Sequence, residues 1–505
     1  MTRSHDLRLE VAWIPVQYLD GSRDTLPLQK LLEDAHLIRE VEGEPAQWAA
    51  LMRFLPSVTA LIARQEPRAD FDAWALDGFP AVAINSALGD VAEHLWLRHP
   101  DTPFMQEPLL ATTGTPYPTE WLHLTVPAPN SKAWWGKPGD RTHPEARTVA
   151  RVALGLVTSW YFNPGVGGKA AGTYTDAPDI PWRPRGTLGV HNHGLRVFHR
   201  GATLAATLLA NTIEAHVTGR GKNLPLWAAG PDVLPSAGPL TASTWTGSVY
   251  LLAWDRETPI GVHVGGRRHP GYSADPAERT RTATAIEKNI WRADPTIPRS
   301  TVVKAGEETG DVRPIRALHP AASAMQWAAE WYAADSRRQA ARAMDPGLID
   351  VAHSDTLSIR LDGPLSACEV SHIGRIGELS DVAAPGARAR LLSLSTLIVT
   401  PVRSTLFVGL AKALGQELAK PLHEKLFAAF CADADPVLDS LLHAPAFTRE
   451  HAEAFTGAAV TAFERFVGPY MTPQSLAGSS EAEGIAAGIA FVRRRVAATL
   501  RAVPA

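Results

Sequence analysis

A chain of 505 residues with 45% hydrophobic and 20% charged content is too apolar for a disordered protein and long enough for two or more domains. Its formal net charge of −3 excludes a globally basic polyanion binder, so any contact with nucleic acid has to come from local cationic segments. Two distant cysteines, Cys368 and Cys431, a charged N-terminus without an apolar signal core, and no evident run of the roughly 20 apolar residues a membrane span needs make a cytoplasmic protein without membrane association the expectation.

Leu7 to Tyr18 alternates and is rich in Val, Ile and Trp; with Asp20-Gly21 and a second short run behind it, it predicts an opening hairpin. Apolar residues return at helical spacing over Leu28 to Ile38 and more strongly over Trp48 to Ile62, which predicts two packed helices. Phe71 to Leu76 and Ile84 to Leu97 add helical segments that end in His99-Pro100. Pro103-Phe104-Met105-Gln106-Glu107-Pro108 reads as a rigid turn whose apolar residues cap the core.

Val126 to Glu145 is long and aperiodic and carries Lys132, Trp134, Trp135, Lys137 and Arg141. Loops of that length in compact proteins are functional or disordered. Aromatic planes beside cations suit stacking on, or clamping along, a nucleic-acid backbone; the alternative is that the tryptophans anchor the loop against the body. A helix over Ala146 to Trp160 then delivers the chain to Asn163-Pro164-Gly165-Val166-Gly167-Gly168-Lys169-Ala170-Ala171-Gly172.

In that stretch Gly165, Gly167 and Gly168 lack the Cβ that would keep another polymer off the main chain, while exposed amides and Lys169 offer donors to a phosphate or a base edge. It is not a P-loop, because Ala170 follows the lysine where Ser or Thr is needed, and it does not open a helix as a dinucleotide fingerprint must. An ordinary glycine loop remains the alternative.

Leu188 to Arg200 holds His191, His193 and His199 with Arg196 and Arg200, and reads as a basic strand leading into a helix over Ala202 to His216 whose entry shows no special signal. The histidines suggest a metal-dependent hydrolase as a competing reading, yet no Cys, Asp or Glu stands beside them to complete a metal shell. Thr244 to Trp254 predicts a strand. Val264 to Arg281, continued by Lys288 and Arg292, is the densest basic segment, either a solvated face or a polyanion contact. Ser323 to Met344 is helical in pattern, and Leu357 to Val370 predicts a strand pair around Asp362-Gly363-Pro364.

After Gly377 four amphipathic helical stretches follow: about Gly386 to Leu418, kinked or split at Pro401, then Pro421 to His443, Arg449 to Tyr470 and Ser480 to Arg501. Lys420-Pro421 is read as one break, and Thr448-Arg449-Glu450 as a helix start. The fold class expected is α+β, with a large mixed α/β domain over residues 1–379 followed by a C-terminal four-helix bundle over residues 380–505.

In this order the pieces resemble the CasA family, the large subunits of type I-E CRISPR Cascade surveillance complexes. The resemblance spans the chain, carried by Trp13-Ile14-Pro15-Val16, Pro103-Phe104-Met105-Gln106, the loop before the glycine stretch, the glycine stretch itself and the carboxyl-terminal helices. It implies a non-catalytic subunit without cofactor or metal. It assigns recognition of the motif adjacent to the target, in the minor groove of double-stranded DNA, to Gly165, Val166, Gly167 and Gly168, with Lys169 beside them. The family's first flexible recognition loop falls on Lys132, Trp134, Trp135 and Lys137. A motif-reading lysine has Arg279, Arg281 and Lys288 as candidates. The family's wedge hairpin, which opens the duplex for R-loop formation, falls on Gly363-Pro364-Leu365-Ser366, without the usual glutamine, leaving Leu365, with Ser366 beside it, to wedge by apolar insertion. Implied partners are the backbone, small and guide-end subunits with their CRISPR RNA, and a helicase-nuclease recruited on target binding.

Overall fold

The computed structural model of the chain describes residues 3–66, 69–108, 110, 115–122, 148–162, 193–218, 223–229, 233, 237–266, 277, 290, 294, 296–297, 299–304, 307–314, 347–349, 353–362, 367–376, 398, 400–443, 446–468 and 480–501. The chain divides into two compact units, Met1–Ala317 with Ala343–His372, and Leu318–Arg342 with Ile373–Ala505.

In the first unit β1 (Ser4–Asp6) ends where the Asp6 carboxylate accepts the N–H groups of Arg8 and Leu9, at 2.8 and 3.3 Å. Leu7 to Tyr18 is therefore not one strand: a turn precedes β2 (Ile14–Tyr18). The chain reverses through Gly21, at φ +86°, into β3 (Arg23–Leu26), with Ile14 opposite Leu26 and Gln17 opposite Arg23, the hairpin the sequence predicts. α1 (Leu28–Glu33) stops at Glu33 rather than Ile38. Ile38 instead opens β4 (Ile38–Val41), because pairing to the free edge of β2 and burial of Ile38 and Val41 outweigh the helical spacing.

α2 (Pro45–Gln65) is the axis of this unit. Glu44 and Gln47 cap each other's backbone reciprocally and Pro45 takes the first helical position, both start signals. By length and composition α2 is apolar enough to cross a bilayer, which corrects the reading that no run reaches that length; 94% of its apolar window is covered by protein, so it is a core helix. Around it Trp13, Phe54, Phe104 and Trp227 meet tilted or edge-on, with Phe54 centroids 5.8, 5.6 and 5.4 Å from those of Trp13, Phe104 and Trp227.

α3 (Phe71–Asp77), capped by Asp70, and α4 (Ala81–Asp90) follow. The helix predicted to Leu97 ends at Asp90: a single tight turn leads into β5 (Trp96–Arg98), drawn into extended backbone by pairing with β1. α5 (Val149–Phe162), β6 (His193–Arg200), α6 (Leu204–Ala210), α7 (Glu214–Thr218) and α8 (Pro239–Ser243) lead to the hairpin β7 (Ser248–Asp255) and β8 (Thr258–Gly266).

The one helix expected over Ala202 to His216 is two. Asn211 ends the first, its Nδ2 donating to Thr207 O and His199 O at 2.7 Å while Oδ1 accepts from His199 N–H at 3.0 Å. The entry does carry a signal: Thr203 is an N-cap, accepting from Ala206 N–H at 3.1 Å. The proline-flanked turn caps the core as expected. Phe104 and Met105 are buried, Gln106 Nε2 donates to Leu97 O at 2.7 Å, and its Oε1 accepts from Leu252 N–H at 2.9 Å, joining β5 to β7.

β9 (Arg299–Lys304) and β10 (Glu307–Pro314) pair with each other. β11 (His353–Asp362) and β12 (Ala367–Ile376) form the predicted strand pair, longer at both ends, in a sheet ordered β12-β11-β6.

The second unit contributes α9 (Thr400–Leu414), α10 (Gln416–His443), α11 (Arg449–Val467) and α12 (Ser480–Arg501); each packs on the next and α12 returns onto α9. Pro401 sits in the first turn of α9. The break before α10 is made by Gly415 at φ +82°, a conformation natural to glycine, and Lys420-Pro421, read as the break, lies inside α10. Thr448 caps α11 in a reciprocal box with His451, as its sequence suggests. Helices with antiparallel sheets make the chain mixed in the α+β manner.

Candidate nucleic-acid interface

The residues assigned to DNA contact lie outside the described residues: Gly165, Val166, Gly167, Gly168 and Lys169; Lys132, Trp134, Trp135 and Lys137; Arg281 and Lys288; Leu365 and Ser366. So does His191. The described residues define how these segments are rooted, and several roots converge.

The 123–147 segment leaves the short turn Thr119–Leu122 and returns at α5. Tyr117 and Val262 exchange backbone hydrogen bonds of 2.9 and 2.8 Å, the Tyr117 ring stacks on Trp121 at 4.2 Å, and Ser159 Oγ of α5 donates to Leu122 O at 2.9 Å. From Val152 to Phe162 α5 is buried on every side, as a core helix is. Its last turn is fixed twice: Trp160 Nε1 donates to Thr244 O, and the Tyr250 hydroxyl donates to Ser159 O, both at 2.9 Å. The glycine stretch thus departs from a helix end held on two sides.

Beneath that end lies a buried charge cluster. Arg53, midway along α2, pairs with Asp294 Oδ2 at 2.6 Å, donates to Thr296 Oγ1 at 3.0 Å and Ser243 O at 2.6 Å, and lies 5.1 Å over the Tyr161 ring. Asp294 Oδ1 accepts from the N–H and the hydroxyl of Thr296, at 3.0 and 2.7 Å. Arg196 of β6 is fully buried within the fields of both. Burial pulls its guanidinium down to about 9, with Asp294 opposing and Arg53 adding to the shift, so it stays cationic at neutral pH. Burial raises the Tyr161 phenol, opposed by Arg53, so it stays neutral.

β6 receives the chain from the 163–192 segment. Its register with β11 sets His193 opposite Arg360 and Arg200 opposite His353. The start of β6 and the end of β11 therefore share one end of the sheet, and the chain enters 363–366 beside the point where it leaves 163–192. The same strand argues against the hydrolase reading. His193 and His199 are six residues apart on β6, about 20 Å at roughly 3.3 Å per residue, beyond the reach of two imidazoles on one ion. Among the described residues no group of three or more His, Cys, Asp or Glu could hold a metal ion.

Sequence reasoning missed the Arg53 cluster, although it left a trace. Arg53 is the single charged residue between Trp48 and Ile62, and a charge inside so apolar a helix requires a buried partner. Nothing local identifies Asp294 as that partner.

A family model described as CRISPR-associated protein Cse1 matches residues 9–344. The CRISPR-associated protein CasA/Cse1 of Thermus thermophilus is 29% identical over 294 residues, 56% of this chain and 54% of that protein. The chain thus spans about half the length of that curated relative in the match. Among solved structures, a chain of a CRISPR RNA-guided surveillance complex matches with a TM-score of 0.65 at 18% identity, covering 99% of this chain and 100% of that one. Thermobifida fusca Cse1 matches with a TM-score of 0.63 at 18% identity, covering 99% and 98%. At these identities the structural likeness is one of fold.

Proposed function

Since the chain belongs to the CRISPR-associated protein Cse1 family, we propose that it is the large, non-catalytic subunit of a type I-E CRISPR RNA-guided surveillance complex, working in the cytoplasm. In that role it reads the short motif beside the target in double-stranded DNA. Guide pairing supplies sequence specificity, so the protein has only to sense a short duplex motif and groove shape. A minor groove about 6 Å wide admits bare main chain where a side-chain-bearing helix does not fit, which suits Gly165 to Gly168. On this proposal Lys169 and a cation from Arg279, Arg281 or Lys288 join in reading the motif. Trp134, Trp135, Lys132 and Lys137 add stacking and charge, and Leu365 with Ser366 wedges the base step to start strand opening. The four carboxyl-terminal helices act as a four-helix bundle that, with the rest of the subunit, meets partner subunits and the recruited helicase-nuclease.

The observation that carries this reading is the shared seat. The exit of α5, Arg196 within β6 and the return from the basic segment meet at the Arg53 cluster, and the end of β11 shares the sheet end where β6 begins. Segments with separate roles in reading one duplex need such common footing.

Gly167→Asp tests it. The variant is expected to assemble with its partner subunits at parent stoichiometry, read by size exclusion, yet to lose binding to the target duplex at matched salt. Equal loss of assembly and DNA binding would remove the recognition role.

A further inference from the structure

Two guanidiniums and a carboxylate held away from water carry a desolvation penalty that apolar side chains of similar volume avoid, and such replacements are often neutral or stabilising. Apolar side chains cannot, however, fix several chain segments at set angles at once. Arg53 reaches Asp294, Thr296 and Ser243 and covers Tyr161, while Asp294 holds Thr296 and carries Arg196 in its field. Tyr161 stands two residues before Asn163, Arg196 three residues after His193, and Asp294 one residue after the 267–293 segment.

We propose that Arg53, Asp294 and Arg196 are positioning residues that lock the exit of α5, the start of β6 and the return of the basic segment into one rigid seat. The glycine stretch and the cationic segment then meet a duplex as a unit. This rests on the recognition role proposed above. Loss of Asp294 loosens all three roots together, because Asp294 pairs with Arg53 at 2.6 Å and its charge acts on the buried Arg196 guanidinium.

The test uses the full chain, alone and assembled with its partner subunits and guide RNA. It carries either Asp294→Asn or the apolar triple replacement Arg53→Met, Asp294→Leu and Arg196→Met. Amide exchange is followed in peptides covering 163–192 and 267–293, alongside the ratio of affinities for duplexes bearing the preferred and a scrambled flanking motif. Faster exchange is expected in both segments together, with a fall of about tenfold in the affinity ratio. The triple variant keeps its melting temperature, and Asp294→Glu restores part of the ratio. A cluster that merely stabilises would lower the melting temperature of Asp294→Asn but leave exchange and the ratio of the folded triple variant at parent values; that result overturns the proposal. Faster exchange in both segments, in a protein whose parent complex already ignores the flanking motif, supports the seat and overturns the recognition role instead.

Discussion

At the scale of single residues, two contacts carry measurable weight. Arg53→Ala removes the buried ion pair with Asp294 and is expected to cost about 3–5 kcal/mol by denaturant midpoint, several-fold more than the apolar triple replacement of Arg53, Asp294 and Arg196. An Arg53→Ala protein as stable as the parent would show that the pair contributes nothing. Trp160→Phe removes the donor to Thr244 O and is expected to cost about 1–3 kcal/mol, because it leaves a buried carbonyl unsatisfied. Arg53 could be suspected from the sequence, being the lone charge in an apolar helix. Its partner could not, since Asp294 lies far along the chain and only the fold brings them together. Thr203 shows the opposite case: its residue type is an ordinary cap, but Gly201-Ala202 ahead of it hid the signal.

At the scale of elements, local rules held where an element owes its existence to itself. The β2–β3 hairpin follows from Asp20-Gly21, and α11 begins where Thr448 allows a cap. Thr448→Ala is accordingly expected to cost about 1 kcal/mol in thermal unfolding, with no change expected if the cap were incidental. Local rules failed where a neighbour decides. Ile38–Val41 and Trp96–Arg98 have helical spacing but lie beside open strand edges, and pairing wins. Helix contacts were also beyond the sequence. A Cβ on Gly488 would come within 2.9 Å of Gly409 O and 3.0 Å of Ala413 Cβ, so α12 approaches α9 through glycine. Gly488→Leu is expected to lower the melting temperature by forcing that crossing apart, while the exposed Gly457→Ala, which meets nothing within 4 Å, is not.

At the scale of the whole molecule, a net charge of −3 means that the proposed recognition of DNA has to depend on a few placed cations. Replacing Lys132 and Lys137 by glutamine is expected to reduce the slope of log affinity against log salt by about 2, as two phosphate contacts are lost. An unchanged slope would move both lysines away from the backbone. The overall α+β pattern and the rooted strand pair β11–β12 were legible in periodicity, whereas the gathering of segment roots over one buried cluster was not, because it is a property of topology and register.

Most direct of all is a selection by the assembled parent complex from target duplexes whose flanking base pairs are randomised, run beside Gly167→Asp. Enrichment of one short flanking motif by the parent, lost in a variant that still assembles, is the expected result. No enrichment by the parent, or the same motif enriched by both, would contradict main-chain reading of the duplex by Gly165 to Gly168.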